Sequence, residues 1–211
     1  MVDTIIEKII EVAGVKIEIA AGPIGLSFSG GVDSSLLLYI LMSNHHDTIH
    51  LFTLTQSVRL RAAAKVSEQV LDRCIELTKN HNVVHHTEFV ESGSKFHIMP
   101  DQFKKLGLIT ANYYADTANP PIDIVSTFTA GALMHDKRDP LIQRPIWQPN
   151  QVGVPFTNHN KQTIAAMYRE LNLIDTLFPL TKSCISRQIK DGHCGHCWWC
   201  NERQWGFGRL A

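Results

Sequence analysis

Apolar and polar positions alternate along most of the chain in segments typical of an α/β protein. Near the N-terminus Ile5, Ile6, Ile9 and Ile10 share one helical stripe, which predicts a helix over residues 3–12. Farther along, short apolar runs alternate with longer amphipathic ones. These runs predict strands at 24–28, 48–55, 83–90, 108–113 and 141–146, and helices at 34–42, 59–78, 123–135 and 161–171.

Strand–helix alternation of this kind predicts a parallel sheet with helices on both faces. The clearest change in composition comes near Pro179, because four of the five cysteines lie beyond it. We therefore predict two parts: an α/β domain over residues 1–178, and a small C-terminal segment over residues 179–211 that packs on it.

The totals describe an ordinary globular protein without a strong electrostatic preference. Hydrophobic residues make up 44% of the 211 positions, and twenty basic residues balance twenty acidic ones. This balance gives no argument for a nucleic-acid or membrane surface. The N-terminus lacks a signal-peptide pattern, and no apolar stretch approaches the roughly 18 residues that span a bilayer. We expect a cytoplasmic protein whose cysteines serve metal or catalytic roles.

The loop between the predicted strand 24–28 and the helix after it has the chemistry of a phosphate site. Gly30 and Gly31 let phosphate oxygens approach the main chain, and the helix start offers unpaired amides and a positive dipole end. Ser29 and Ser34 add hydroxyl donors. The carboxylate of Asp33 repels phosphates unless a magnesium ion intervenes or it bonds the loop's own amides. A Gly-Lys-Ser/Thr ending and a Gly-x-Gly-x-x-Gly pattern are absent, which disfavours Walker-type and nicotinamide sites.

The C-terminal cysteines have metal-ligand spacing. Four thiolates would complete a closed tetrahedral zinc site, although an iron–sulfur cluster uses the same ligands and stays open as an alternative. Cys74 stands alone inside the predicted helix 59–78 and is interpreted as a buried small hydrophobe. His193 and His196 lie beside the cluster and are interpreted as bystanders. The predicted metal ligands are Cys184, Cys194, Cys197 and Cys200.

Both ends of the chain resemble one family. The loop resembles the Ser-Gly-Gly-x-Asp-Ser signature of the PP-loop ATP pyrophosphatases, and the end of the chain resembles 7-cyano-7-deazaguanine synthase of queuosine precursor synthesis. Thr181-Lys-Ser-Cys184, Cys194-Gly-x-Cys-x-x-Cys, Arg203, Phe207 and a helix led by Lys161 carry this second likeness. The resemblance spans roughly residues 24–55 and 155–207. It implies an adenine nucleotide alpha hydrolase-like fold with a zinc segment, and it suggests a homodimer.

The resemblance also implies an activity, namely conversion of 7-carboxy-7-deazaguanine to its nitrile with ATP, Mg²⁺ and ammonia. The carboxylate would be adenylated, because oxide is too poor a leaving group for ammonia to displace. Asp33 and Lys161 carry over as catalytic residues, with Lys161 neutralising phosphate charge. The residues that carry over as the ATP site are Ser29, Gly30, Gly31, Asp33 and Ser34.

The middle of the chain departs from the family pattern, so the exact substrate stays open between this acid and a related one. In place of the family's motifs stands Ala115-Asp-Thr-Ala-Asn-Pro-Pro121. If this segment follows a strand of a parallel sheet, Asp116 and Asn119 would contact substrate or Mg²⁺. The alternative interpretation is a polar turn ahead of two prolines.

Two further functions stay open. One is sulfur transfer to tRNA, which requires a persulfide-bearing cysteine or a labile cluster and which the charge balance disfavours. The other is a non-catalytic nucleotide- or nucleic-acid-binding module, in which aromatic residues of the C-terminal segment stack on bases. Its stacking residues would be Trp198, Trp199, Arg203 and Trp205.

Overall fold

A computed structural model describes residues 4–55, 57–89, 98–128, 138–184 and 192–211. The strands are β1 Ile6–Val12, β2 Val15–Ala20, β3 Ile24–Ser27, β4 Ile49–Thr55, β5 Val83–Phe89, β6 Ala111–Tyr113, β7 Trp147–Gln148 and β8 Val152–Gly153. The helices are α1 Val32–Asn44, α2 Ser57–Thr78, α3 Ile98–Lys105, α4 Ile122–Val125, α5 Lys161–Glu170 and α6 Trp198–Phe207, with a 3-10 turn at Phe178–Leu180. Among the described residues, no helix is long and apolar enough to cross a bilayer.

Six strands form the central sheet in the order β5-β4-β3-β6-β8-β7. All neighbouring strands are parallel except β7, which returns antiparallel along β8. The chain runs outward from β3 through β4 to β5 and then crosses back to β6 on the other side of β3. In open α/β sheets ligands bind outside the carboxyl ends of the strands at such a reversal point. The predicted α/β class with a largely parallel sheet is confirmed, and the reversal places the loops after β3 and β6 side by side.

The helices α1 and α5 and the β3–β4 pair enclose the main core. Leu26 and Leu51 are fully buried on the adjacent strands, as are Leu36 to Leu38 on α1. Tyr168 on α5 is also fully buried, and its hydroxyl donates to the carbonyl of Val32 at 2.8 Å. This bond fixes α5 against the first turn of α1, where the predicted phosphate loop ends.

The N-terminal helix predicted over residues 3–12 is wrong, because this segment is the first strand of a β-hairpin. Ala13 and Gly14 both have positive φ, at 49° and 76°, as the tight turn between two twisted strands requires. Ile10 and Val12 point inward, whereas Ile5 and Ile9 stay 75% and 60% exposed. The isoleucines therefore follow the period of a strand, and their spacing mimics a helical stripe only because they occur in adjacent pairs.

Two other expected elements differ in the structure. The strand predicted at 141–146 is irregular chain, with Leu141 and Ile142 exposed by 89% and 53%. The helix predicted at 123–135 is only the four-residue α4 within the described chain, and residues 129–135 lie outside the described residues. The division into residues 1–178 and 179–211 stays a prediction.

A half-buried histidine pair lies on the face of the sheet that α3 covers. His50 Nδ1 and His86 Nε2 are 3.0 Å apart, and the ring of Phe103 packs edge-on against both imidazoles. Burial lowers the pKa of His50 and His86, and the nearby charge of His86 lowers the pKa of His50 further. The folded protein therefore favours two neutral rings in this pair.

This pair makes stability depend on pH. Because folding lowers both pKa values below the ordinary value of about 6.5, the unfolded chain binds protons first as pH falls. The stabilisation is complete above about pH 6.5 and declines progressively as pH falls towards the folded-state values. We expect the melting temperature to fall below that pH, and to fall less steeply in His86→Phe, which keeps an aromatic ring beside Phe103. The exposed His81, changed to Gln, is the control, and an unchanged slope in His86→Phe would contradict the assignment.

Candidate functional site

The phosphate loop joins the end of β3 to the start of α1 in a compact, self-bonded turn. Gly31 is the N-cap of α1, and its amide donates to Ser29 Oγ at 3.2 Å. Ser29 Oγ and Ser34 Oγ are 3.1 Å apart, so the two hydroxyls hold the ends of the loop together. The Gly31 carbonyl accepts from the amide of Ser35 at 3.0 Å and from its hydroxyl at 2.7 Å. The structure thus brings the predicted ATP-binding residues together at one helix N-terminus.

Gly30 is required at its position for two reasons. Its φ is +70°, in the left-handed region that side chains avoid. A Cβ there would also lie 3.0 Å from the backbone nitrogen of Ser67 on α2, so the loop passes directly over that helix. The glycine therefore sets both the shape of the loop and its distance from α2.

The first residues of the C-terminal segment also contact this loop. Lys182 donates its amide to the Gly30 carbonyl at 3.0 Å. Ser183 Oγ lies 3.4 Å from the amide of Val32, the first residue of α1. Cys184, a predicted metal ligand, follows immediately. Residues 181–184, which carry part of the family resemblance, are therefore an irregular segment that links the phosphate loop with the thiols.

Lys161 is buried beside the phosphate loop, with its side chain only 3% exposed. Its ammonium donates to Asp33 Oδ2 in a very short contact and to Thr117 Oγ1 at 3.1 Å. Lys161 is the first residue of α5, and the side chain of Asn160 caps that helix by accepting from two amides. Burial against Asp33 distinguishes this lysine from the solvated surface lysines that helices usually carry.

Behind Lys161 lies a carboxylate that the sequence analysis missed. Glu202 of α6 is fully buried, and its Oε2 is 3.7 Å from Lys161 Nζ. Its Oε1 is 2.5 Å from Arg138 Nη2, and Arg138 Nε in turn donates to the Thr117 carbonyl at 2.6 Å. The four charged side chains alternate in sign from Asp33 to Arg138. Buried charges of this kind are tolerated when each is paired.

The four C-terminal thiols converge as their spacing predicts. All four sulfur atoms lie within 4.8 Å of one another, and Cys194 Sγ is 3.8 Å from Cys200 Sγ. A zinc ion with Zn–S bonds of about 2.3 Å separates tetrahedral sulfurs by about 3.8 Å. Gly195 has a φ of +78°, which makes the tight turn between Cys194 and Cys197. The donor set and the spacing fit zinc.

Two histidines adjoin the thiols. His196 Nδ1 lies 2.9 Å from the Cys194 carbonyl, and His193 Nδ1 lies 4.0 Å from Cys200 Sγ. Their interpretation as bystanders stays a prediction. Cys74 is fully buried, and burial raises its pKa to about 12. A thiol of that kind is unreactive at neutral pH.

An open cavity of about 260 Å³ lies beyond the end of β6. Asp116 lines it together with Asp101 and Lys104 of α3, which pair at 3.0 Å. Tyr114 adds a hydroxyl, and burial raises its pKa, so it stays a proton donor at neutral pH. The wall therefore offers carboxylates, an ammonium group and a phenol to a small polar ligand.

Asp116 and Asn119 are placed differently. Asn119 is not among the residues that line the cavity, and it is fully buried, with its amide donating to the Arg138 carbonyl at 2.6 Å. Their roles in substrate or magnesium binding stay predictions, and Asp116 has the position that suits one.

Two residues proposed for base stacking in a binding module are buried. Trp198 is 7% exposed and packs edge-on against Phe128, with ring centroids 5.2 Å apart. The guanidinium of Arg203 is fully buried 4.0 Å above the Phe178 ring, and burial lowers its pKa to about 10, so it stays charged at neutral pH. These side chains hold α6 onto the protein and cannot stack on a nucleic-acid base.

Comparison with known families agrees with this architecture. The family model for Queuosine biosynthesis protein QueC matches residues 125–211, and the model for asparagine synthase matches residues 15–105. Both families belong to the PP-loop ATP pyrophosphatases, and the two matches cover different parts of the α/β fold, the more C-terminal of which contains the thiol cluster. No curated protein matches the chain. The chain belongs to the PP-loop ATP pyrophosphatase superfamily, and it is QueC-like in its C-terminal part.

Proposed function

We propose that the protein adenylates the carboxylate of 7-carboxy-7-deazaguanine, or of a closely related deazapurine acid, and converts it with ammonia to the amide and then the nitrile. The observation that carries this proposal is the contact between the buried Lys161, which lies in the QueC-like part of the chain, and Asp33 of the phosphate loop. Superfamily membership supports an ATP-dependent enzyme, and the QueC likeness supports the deazapurine.

In the first step a carboxylate oxygen of the substrate attacks the α-phosphorus of ATP, and pyrophosphate leaves. The amides at the start of α1 and the hydroxyls of Ser29 and Ser34 would hold the β and γ phosphates. Lys161 would offset the charge that builds on the departing pyrophosphate. The adenylate that forms gives the carbonyl carbon a good leaving group.

Ammonia then attacks that carbon, AMP leaves with the former carboxylate oxygen, and a proton passes to solvent. For the nitrile, the amide oxygen attacks a second ATP in the same way. Loss of AMP and of the remaining nitrogen protons completes the triple bond. The amides at the start of α1, the two serine hydroxyls and Lys161 are already aligned, so they would stabilise the developing charge without rearranging.

Asp33 is the residue that would hold magnesium. Its Oδ1 is buried and has no hydrogen-bond partner among the described residues, which fits a carboxylate oxygen reserved for a hard cation. A magnesium ion there would neutralise phosphate charge. The pair with Lys161 orients the Asp33 side chain.

We assign the deazapurine to the cavity beside Asp116. A guanine-like base presents N–H donors on one edge, which suit the carboxylates of Asp101 and Asp116, and the substrate carboxylate suits Lys104 or the Tyr114 hydroxyl. The cavity follows β6, the strand next to β3, so the base would lie beside the phosphate loop.

The sulfur-transfer alternative lacks support from the thiols. Cys74 is buried with a raised pKa, and the other four cysteines converge on one another as a set of metal ligands. The closed zinc-like arrangement favours a structural role over a labile cluster.

The test is to incubate the purified, zinc-loaded protein with Mg²⁺-ATP, ammonium and 7-carboxy-7-deazaguanine, and to follow bases and nucleotides by liquid chromatography–mass spectrometry. The expected products are the amide or nitrile together with AMP and pyrophosphate. Asp33→Asn protein is the control for contaminating activity. An unchanged base in protein that binds ATP would rule out the substrate and direct the search to other carboxylates or to tRNA.

A further inference from the structure

The helix that carries the last predicted metal ligand, α6, also packs against Lys161 at the predicted ATP site. α6 begins directly after Cys197 and contains Cys200 in its first turn. Glu202 and Gly206 follow at a spacing of four residues, so they occupy one face of the helix. That face lies against the first turn of α5, where Lys161 begins the helix.

Gly206 lets the two helices approach more closely than any other residue would permit. A Cβ at Gly206 would lie 2.5 Å from Lys161 Cβ and 2.8 Å from the Lys161 carbonyl oxygen. Real Cβ atoms do not reach such distances, so a larger residue must push α6 and α5 apart. The backbone of Lys161 therefore rests directly on α6.

Glu202 constrains the other end of the same side chain. Its buried carboxylate lies 3.7 Å from Lys161 Nζ on the side away from solvent, whereas Asp33 contacts the ammonium from the partly exposed side. When ATP occupies the loop, its phosphates compete with Asp33 for the Lys161 ammonium, and a cation competes with Lys161 for the Asp33 carboxylate. Glu202 then remains as the buried counter-charge that holds the ammonium in place.

α6 is itself held rigidly. Arg138 bonds the second oxygen of Glu202, and Arg203 donates to Thr181 Oγ1 at 2.8 Å and to the Phe178 carbonyl at 3.0 Å. Thiols at Cys197 and Cys200 would fix the start of the helix once they hold a metal.

We propose that Glu202 and Gly206 are positioning residues that set Lys161 in the ATP site, so that the zinc segment acts on ATP binding through α6. This inference rests on the proposed role of Lys161 towards ATP phosphates, and it does not depend on which acid is adenylated.

The test measures the dissociation constant of Mg²⁺-ATP by titration calorimetry without any base, alongside zinc content and melting temperature. We expect Glu202→Gln and Gly206→Ala each to keep one zinc per chain and to weaken ATP binding roughly tenfold, within the usual range of coupling between sites. Gln204→Ala, at an exposed position of the same helix, is the control and should bind ATP as the parent does.

A double-mutant cycle separates positioning from a general loss of structure. If Glu202 and Gly206 act through Lys161, adding either change to Lys161→Met should weaken ATP binding no further. Losses that multiply, or unaltered ATP binding in both single variants, would overturn the proposal. Should Glu202→Gln fail to fold, Gly206→Ala and its cycle decide the matter. A parent protein that binds ATP but leaves the deazapurine unchanged would refute the substrate alone.

Discussion

Asp33→Asn is expected to abolish ATP cleavage while leaving the fold intact. The substitution keeps the shape of the side chain. It removes the negative charge that holds Lys161, and it removes the carboxylate Oδ1 that a cation would bind. Loss of one preorganised electrostatic group typically lowers kcat by roughly 10²–10³-fold, and here a cation site would be lost as well. We therefore expect a fall of about 10³-fold or more in AMP and pyrophosphate release.

The fold should survive because the buried ammonium keeps Glu202 and the Thr117 hydroxyl as partners. A cost of about 1 kcal/mol, ordinary for a single substitution, would lower the melting temperature of a chain this long by about 2–4 °C. Calorimetry and pyrophosphate release together check both halves of the prediction. Asp47→Asn, at an exposed position, is the matched control. Near-normal cleavage by the Asp33→Asn protein would remove Asp33 from the site.

Cys194→Ser should affect folding before it affects catalysis. Cys194 is one of four converging thiols, and its sulfur also accepts the amide of Cys197 at 3.3 Å. Structural zinc contributes about 10–16 kcal/mol of apparent binding energy in small zinc peptides, so loss of a ligand can exceed the stability of a whole domain. We expect less than one zinc per chain, poor solubility and a melting temperature lower by on the order of 10 °C or more.

The damage should extend beyond the thiols, because α6 carries Glu202 and Arg203 into the interior. The control is Cys74→Ala, which removes a buried thiol outside the cluster and should retain full zinc at a cost of about 1 kcal/mol. Elemental analysis, centrifugation and calorimetry distinguish the two variants. A soluble Cys194→Ser protein that melts normally and has lost only activity would show that the cluster is not structural.

The sequence predicted three strands of the sheet well, because each begins with a β-branched apolar residue. The predicted bounds of β3, β4 and β5 agree with the structure within one residue at each end. The first hairpin was mistaken for a helix because its isoleucines occur in pairs, and only pairing with β2 shows which of them face the core. The strand predicted at 141–146 was wrong because its apolar residues Leu141 and Ile142 face solvent and do not pack in a sheet.

The sequence by itself predicted where the glycine-rich loop meets α1 and that the four thiols converge, because both depend on short spacings that fix local geometry. Glycines before a helix start let an anion approach its amides, and thiols two residues apart can share one ion. What only the tertiary structure decided is the environment of Lys161. Its partner Asp33 lies 128 residues away, and Glu202 and Gly206 approach it from a third segment. The residues next to Lys161 in sequence do not indicate that its side chain is buried, because that burial depends on elements that are distant in sequence and pack together in the fold.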